Sequence, residues 1–226
     1  MFDKIQLIRD KGYNPSHIFD IGAYKGQWTR QSLSIFKESH HIMIEANNYD
    51  ILTQFNKYTN ITVINEILNE ENKEVIWNKM ENTGDSIFSE LTVWSDKFEK
   101  IKRNSITLDS CIEKYNIDLS LMKNILIKID CQGAEIPILK GSTEILDKTD
   151  FIVMELPLFG KYNNDVPSFL EHIQYMDTIG FKPYDVVDNH YINNYNMQID
   201  MLFINKNHFF IEDVQNKLLT EFKEGL

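Results

Sequence analysis

Four carboxylates, each at the end of a short apolar run, are the side chains of this chain best placed to do chemistry. Asp20 ends the run from His17 and is followed by Ile21, Gly22, Ala23, Tyr24, Lys25 and Gly26, with a helix expected from Gln27 onward. Glu45 closes Ile42-Met43-Ile44, Asp130 follows Ile125 to Ile129, and Glu155 closes Phe151 to Met154. Glycine accepts positive φ and lets a ligand approach the backbone, so Gly22 and Gly26 suit a tight turn beside a small molecule. A carboxylate at the end of the second strand can accept hydrogen bonds from both ribose hydroxyls of an adenosyl cofactor, and the spacing from Asp20 to Glu45 fits one β-α-β unit.

The glycine pattern separates two adenosyl cofactors. A dinucleotide brings a pyrophosphate that asks for G-x-G-x-x-G at a helix N-terminus. Here Tyr24 stands where the middle glycine would be. S-adenosylmethionine carries no phosphate and tolerates a side chain there, and its cationic methionine end suits Asp20 better than a phosphate does. A bland alternative is that Gly22 and Gly26 only make a turn between strand and helix.

A second segment weighs against that alternative: Lys128-Ile129-Asp130-Cys131-Gln132-Gly133-Ala134-Glu135, then Leu139-Lys140-Gly141, then Ile152 to Glu155. With Asp20 to Thr29, Glu45 and Thr107-Leu108-Asp109, these runs resemble in order the motifs of the FkbM family of S-adenosylmethionine-dependent O-methyltransferases, and the likeness extends through Gly180-Phe181 and Asp200 to Phe203, about residues 17 to 205. Tyr24 departs from the family's usual Asn, and Ala46-Asn47 from the Pro that often follows the acid. The resemblance implies a Rossmann-like class I methyltransferase fold of the α/β class. That fold is a mostly parallel seven-stranded sheet with an antiparallel edge hairpin and helices on both faces. It assigns S-adenosylmethionine to Asp20, Gly22, Ala23, Gly26, Thr29, Glu45 and Ala46.

The implied reaction is attack of an acceptor oxygen on a sulfonium methyl group, for which the protein must align the atoms and take up a hydroxyl proton. A sugar hydroxyl is a weak acid, so a base or a metal is needed at neutral pH. Asp130 and Glu155 end neighbouring strands at the edge where ligands of such sheets bind. Asp130 is therefore the expected catalytic carboxylate, with Glu155 beside it. By analogy with related sugar O-methyltransferases the two would hold Mg²⁺, a hard cation that favours oxygen. Lys128 points to the same strand face as Asp130, either to orient it or to snorkel outward. Glu135 reads first as a favourable charge at a helix start. His190 and Tyr162 are weaker candidates, as a loop base and a pocket cover. Gly84, Asp85 and Ser86 either touch the adenine or acceptor or form a solvated turn.

The elements that must position these groups alternate along the chain. Short β-branched runs at 17 to 21, 41 to 45, 61 to 65, 125 to 129 and 151 to 155 read as buried parallel strands. Helical spacing covers 28 to 36, 49 to 58, 136 to 146 and 166 to 179, the last ending at Gly180. Residues 181 to 187 and 197 to 204 form the expected hairpin. One domain over 1 to 226 is expected: an N-terminal helix within 1 to 16, a core over 17 to 205, and a C-terminal helix within 206 to 226. An insertion near 73 to 106 is read as a small hairpin with a mobile loop, placed to build the substrate pocket.

Composition narrows the partners. With 23 Lys and Arg against 34 Asp and Glu, the net charge of -11 counts against a phosphate backbone as substrate. It is compatible with a neutral or cationic small-molecule or glycan hydroxyl acceptor. No apolar stretch approaches the roughly 20 residues of a membrane span, and the N-terminal residues are unlike a signal peptide. Cys111 and Cys131 form no metal-binding pattern, as expected of a cytoplasmic protein with reduced thiols. Oligomeric state is left open, a dimer among the options. Two other readings use the same elements: a methyltransferase-like scaffold without catalysis and, less well matched, a nicotinamide-dependent oxidoreductase.

Overall fold

A computed structural model of the protein describes residues 1–93, 95–159, 161 and 163–224, with side chains described through residue 218. Seven strands make the main sheet, in the order β3 (Ile61–Ile64), β2 (His40–Ile44), β1 (His17–Ile21), β7 (Ile125–Ile129), β8 (Thr149–Pro157), β10 (Tyr195–Asn205) and β9 (Phe181–Ile192). The first five run parallel, while β10 is antiparallel to both β8 and β9. The expected doubly wound sheet with its edge hairpin is thus present. Asn193 and Asn194 both take positive φ at the hairpin tip, the backbone that two-residue hairpin turns require.

Side-chain alternation divides the core into two layers. Phe19, Ile21, Ile127, Ile129, Ile152 and Met154 pack on one face against α3 (Leu108–Lys114), α4 (Glu135–Lys140), α5 (Thr143–Leu146) and α6 (Phe169–Thr178). Ile18, Leu126, Val153 and Leu202 pack on the other face against α1 (Phe2–Asp10), α2 (Gln27–Ile35) and the start of α7 (Phe209–Glu224). Both faces are covered, which is why the central strands are apolar almost throughout.

Three expected elements differ in form. The helix expected over 136 to 146 is two helices, because at Gly141 the chain passes so close to Asn69 that a Cβ would lie 2.5 Å from its carbonyl oxygen. Asp50–Lys57 is a 3₁₀ helix. Helix α6 begins later than expected, at Phe169, where Ser168 and Glu171 form a reciprocal capping box. The 73 to 106 region holds β5 (Lys73–Lys79) and β6 (Glu99–Ile106), paired antiparallel, and β6 also pairs in parallel with β4 (Ile67–Leu68). The result is a three-stranded second sheet, a larger unit than a hairpin. Among the described residues no helix is long and apolar enough to cross a membrane.

Candidate functional site

The site lies at the carboxyl ends of β1, β2, β7 and β8, and strand register sets its first contact. Asp20 and Lys128 are direct partners in the β1–β7 ladder, so they share a face and meet as an ion pair, with Lys128 Nζ 3.2 Å from Asp20 Oδ1. Thr29 Oγ1 donates to Asp20 Oδ2 at 2.6 Å, and Lys128 Nζ donates to the Gly22 carbonyl at 2.8 Å. Asp20 and Thr29 are fully buried. Beneath the glycine turn the two side chains hold Lys128 and the start of α2. Lys128 is buried too and does not snorkel; its ammonium is 3.7 Å from Asp130 Oδ2. Burial by itself would lower the Lys128 pKa, and Asp20 with Asp130 more than offsets this, so it stays charged.

Protein packing also explains the glycines. Gly22 has φ of +73°, and a Cβ there would lie 1.9 Å from the Asp130 carbonyl oxygen. Gly26 has φ of +76°, and a Cβ there would strike the Phe55 ring. Close approach of neighbouring chain therefore demands both glycines before any ligand is considered. Tyr24, between them, takes φ of +48°, and its ring meets Tyr49 edge to face.

Glu45 faces the main cleft. Its Oε2 accepts from the Tyr24 N–H at 2.6 Å and its Oε1 from the Asn47 N–H at 2.8 Å. Each oxygen keeps a lone pair for a ligand hydroxyl. Burial raises the Glu45 pKa, and the two N–H donors and Lys128 oppose the shift. Ala46 lines the same cleft and its carbonyl accepts from Arg103 Nη1 at 2.6 Å, whereas Ala23 lines a smaller hollow shared with Lys128 and Asp200. The cleft encloses about 660 Å³, part of it open to solvent, between apolar walls that include Ile44, Leu68 and Ile138 and polar groups that include Glu45, Asp130 and Gln132.

Residues near 80 to 86 close one side. Asp85 is buried and accepts from the N–H groups of Met80 at 2.7 Å and Glu81 at 3.0 Å, and from Asn47 Nδ2 at 2.6 Å. Trp77 Nε1 donates to Asn47 Oδ1 at 3.2 Å. Asp85 thus pins its own turn and ties it to the loop after Glu45. Ser86 Oγ donates to the Gln132 carbonyl at 3.0 Å, and Gly84 lines a neighbouring chamber.

Asp130 is the exposed carboxylate of the group, its side chain 42% accessible. Gln132 Nε2 stands between the two expected metal ligands, 3.4 Å from Asp130 Oδ1 and 3.2 Å from Glu155 Oε1. Gln198 Nε2 donates to the same Glu155 oxygen at 2.6 Å. The Gln132 and Gln198 amides thus stand between and beside the two carboxylates. Among the described residues the groups within ligating range of one another are Glu155, His190 and Asp200. Burial, with Asp130, Glu135 and Asp200 nearby, pushes Glu155 well above the ordinary carboxylate range. His190 lies on β9, not in a loop, and its Nε2 is 2.9 Å from Asp200 Oδ2, a contact that raises its pKa. Glu135 is buried and accepts from the N–H groups of Cys131 at 2.9 Å and Gly133 at 3.3 Å; burial moves it up to about 7. Tyr162 lies outside the described residues.

Asn47, Gln132, Asn163, Gln198 and Asp200 carry much of this geometry without having been assigned a role from sequence. Asp200 left a signal, as a lone carboxylate between Ile199 and the apolar run Met201 to Ile204. The amides left none, because their partners come from distant segments.

A sheet of this order, with a carboxylate directly after β2 lining a cleft beside a glycine turn, is the class I methyltransferase fold. The model of the FkbM methyltransferase domain matches residues 20–183, and the chain belongs to that family. An FkbM methyltransferase from Methylobacillus flagellatus KT is similar in structure, with a TM-score of 0.50 and 14% identity over 84% of this chain. This chain spans 43% of that protein's length. The 1,6-didemethyltoxoflavin-N1-methyltransferase of Burkholderia thailandensis, solved with 1,6-didemethyltoxoflavin and S-adenosylhomocysteine, gives a TM-score of 0.51 at 9% identity, covering 91% of this chain and 78% of that one. At such identities the likeness is one of fold. No curated protein matches the sequence.

Proposed function

We propose that the protein is an S-adenosylmethionine-dependent O-methyltransferase whose acceptor is a hydroxyl of a sugar or glycan. The observation that carries this reading is that Glu45 and the exposed Asp130 line one cleft together with apolar residues such as Ile44, Leu68 and Ile138. The residues fit the cofactor: Glu45 keeps acceptor capacity for ribose hydroxyls, Ile44, Leu68 and Ile138 offer apolar surface to an adenine, and the local carboxylates suit a cationic sulfonium. When bound, S-adenosylmethionine supplies a methyl group on a sulfonium leaving group. Asp130 holds the acceptor hydroxyl and receives its proton. Lys128, locked by Asp20 and the Gly22 carbonyl, fixes the orientation of Asp130. Glu155 reaches the reaction only through Gln132, which places it in acceptor positioning. Mg²⁺ is left out of the scheme because Gln132 and Gln198 already engage the carboxylate meant to share it.

Calorimetric titration with S-adenosylhomocysteine tests the reading, with NADH and NAD⁺ as controls. Micromolar binding to the wild type and its loss in Glu45→Ala are expected. No binding by a folded protein would reject the methyltransferase function. With an acceptor in hand, Asp130→Asn should lose turnover while keeping cofactor affinity; unchanged turnover would remove Asp130 from the mechanism.

A further inference from the structure

Beside the cofactor cleft lies a second chamber of about 430 Å³, lined by Asn82, Thr83, Glu90, Gln132, Asn163 and Ile192 among others. Ligand pockets typically measure about 300–1,000 Å³. The two spaces share Asn82, Thr83 and Gln132, so the chamber adjoins the cleft that Asp130 lines. Its floor is built: the Gln132 carbonyl accepts from Ser86 Oγ at 3.0 Å and from Asn163 Nδ2 at 2.7 Å, which draws the insertion and the loop after β8 onto one atom. Its lining sets the amides and hydroxyls of Asn82, Thr83, Thr92, Gln132 and Asn163 within a larger share of apolar surface, and holds no Lys or Arg among the described residues. Lys161, nearby in the loop after β8, donates its ammonium to the Val166 carbonyl.

At the hairpin end of this region Phe159 and Tyr195 stack on one another with ring centroids 5.3 Å apart and planes 13° off parallel. They are 70% and 59% exposed, and Tyr195 pairs across the hairpin with Ile192 of the chamber. Rings of this kind offer apolar faces to the C–H surface of a sugar, while amides and carboxylates take its hydroxyls.

We infer that this chamber and its aromatic rim bind the end of a neutral glycan, with the terminal sugar in the chamber beside Asp130 and a following ring on Phe159 and Tyr195. This rests on the O-methyltransferase reading and narrows its acceptor. Uronate, sialylated and sulfated glycans are rejected, because Glu90 lines the chamber and Asp130 the adjoining cleft, with no lining cation in the chamber to answer an acidic group.

The test is a printed array of neutral and acidic glycans probed with the labelled protein saturated with S-adenosylhomocysteine, followed by titration of the best ligand against the Phe159→Ala/Tyr195→Ala double variant. Both rings are exposed, so the variant should keep its circular dichroism and its S-adenosylhomocysteine affinity within twofold. The expected result is binding to neutral glycan ends, weakened tenfold or more in the double variant. Binding confined to acidic glycans, binding indifferent to the two rings, or no glycan bound by protein that still takes up S-adenosylhomocysteine would overturn the proposal while leaving the methyltransferase reading in place. Failure to bind S-adenosylhomocysteine at all would remove both.

Discussion

Lys128 shows what a buried charge costs when its partner is taken away. Its ammonium answers Asp20, a carboxylate with no access to water, and reaches on toward Asp130. Lys128→Met should lower unfolding free energy by about 3–5 kcal/mol, since Asp20 is left buried and unpaired. Asp20→Asn combined with Lys128→Met should recover a good part of that loss, and chemical denaturation of the three proteins measures both effects. Glu135 makes a prediction of opposite character. Burial lifts its pKa from 4.5 to about 7 despite two backbone donors. Between these values the folded protein holds a proton that the unfolded chain has released, so stability falls as pH rises through this window. Glu135→Gln keeps an acceptor oxygen for Cys131 and Gly133 but cannot ionise. Its stability relative to wild type should therefore improve from pH 5 to pH 8, by an amount on the order of 1–3 kcal/mol. A difference between the two proteins that stays flat across that range would show that Glu135 does not titrate there.

At the scale of elements, the end of β1 and the end of β7 are closed against each other at Gly22. Gly22→Ala must find room for a Cβ 1.9 Å from a backbone carbonyl while holding positive φ. A loss of about 3 kcal/mol or more is expected, with weaker S-adenosylhomocysteine binding, both readable by thermal shift with and without the ligand. The glycine turn, the parallel strands and the carboxylate after β2 were legible because each is written locally, as a run of apolar residues with a punctuating glycine or acid. The break between α4 and α5 was not, because it depends on Asn69 approaching Gly141 from far along the chain. The second sheet was hidden for a similar reason: β4 and β6 pair across more than 30 residues, and a two-residue strand leaves almost no period to read. Asp20 and Glu155 were recognised as important, while their protein contacts were not legible. Sequence puts a carboxylate at a strand end, but only register tells that Lys128 sits opposite Asp20, and only folding brings the Gln132 and Gln198 amides to Glu155.

For the molecule as a whole, a net charge of -11 and a chamber without lining cations point the same way. Non-specific nucleic-acid affinity arises from Lys and Arg displacing counterions. Fluorescence anisotropy with labelled single-stranded RNA and duplex DNA at physiological salt should give dissociation constants weaker than about 10⁻⁴ M, outside the usual non-specific range. Tight binding there would contradict the glycan reading at its root. The Gln132 carbonyl finally bears on how the two spaces are coupled. One oxygen receives a hydroxyl from the segment that walls the cofactor cleft and an amide from the segment that floors the adjoining chamber. Neither segment can therefore be displaced without disturbing the same oxygen, so the wall of one space and the floor of the other are mechanically joined at a single atom.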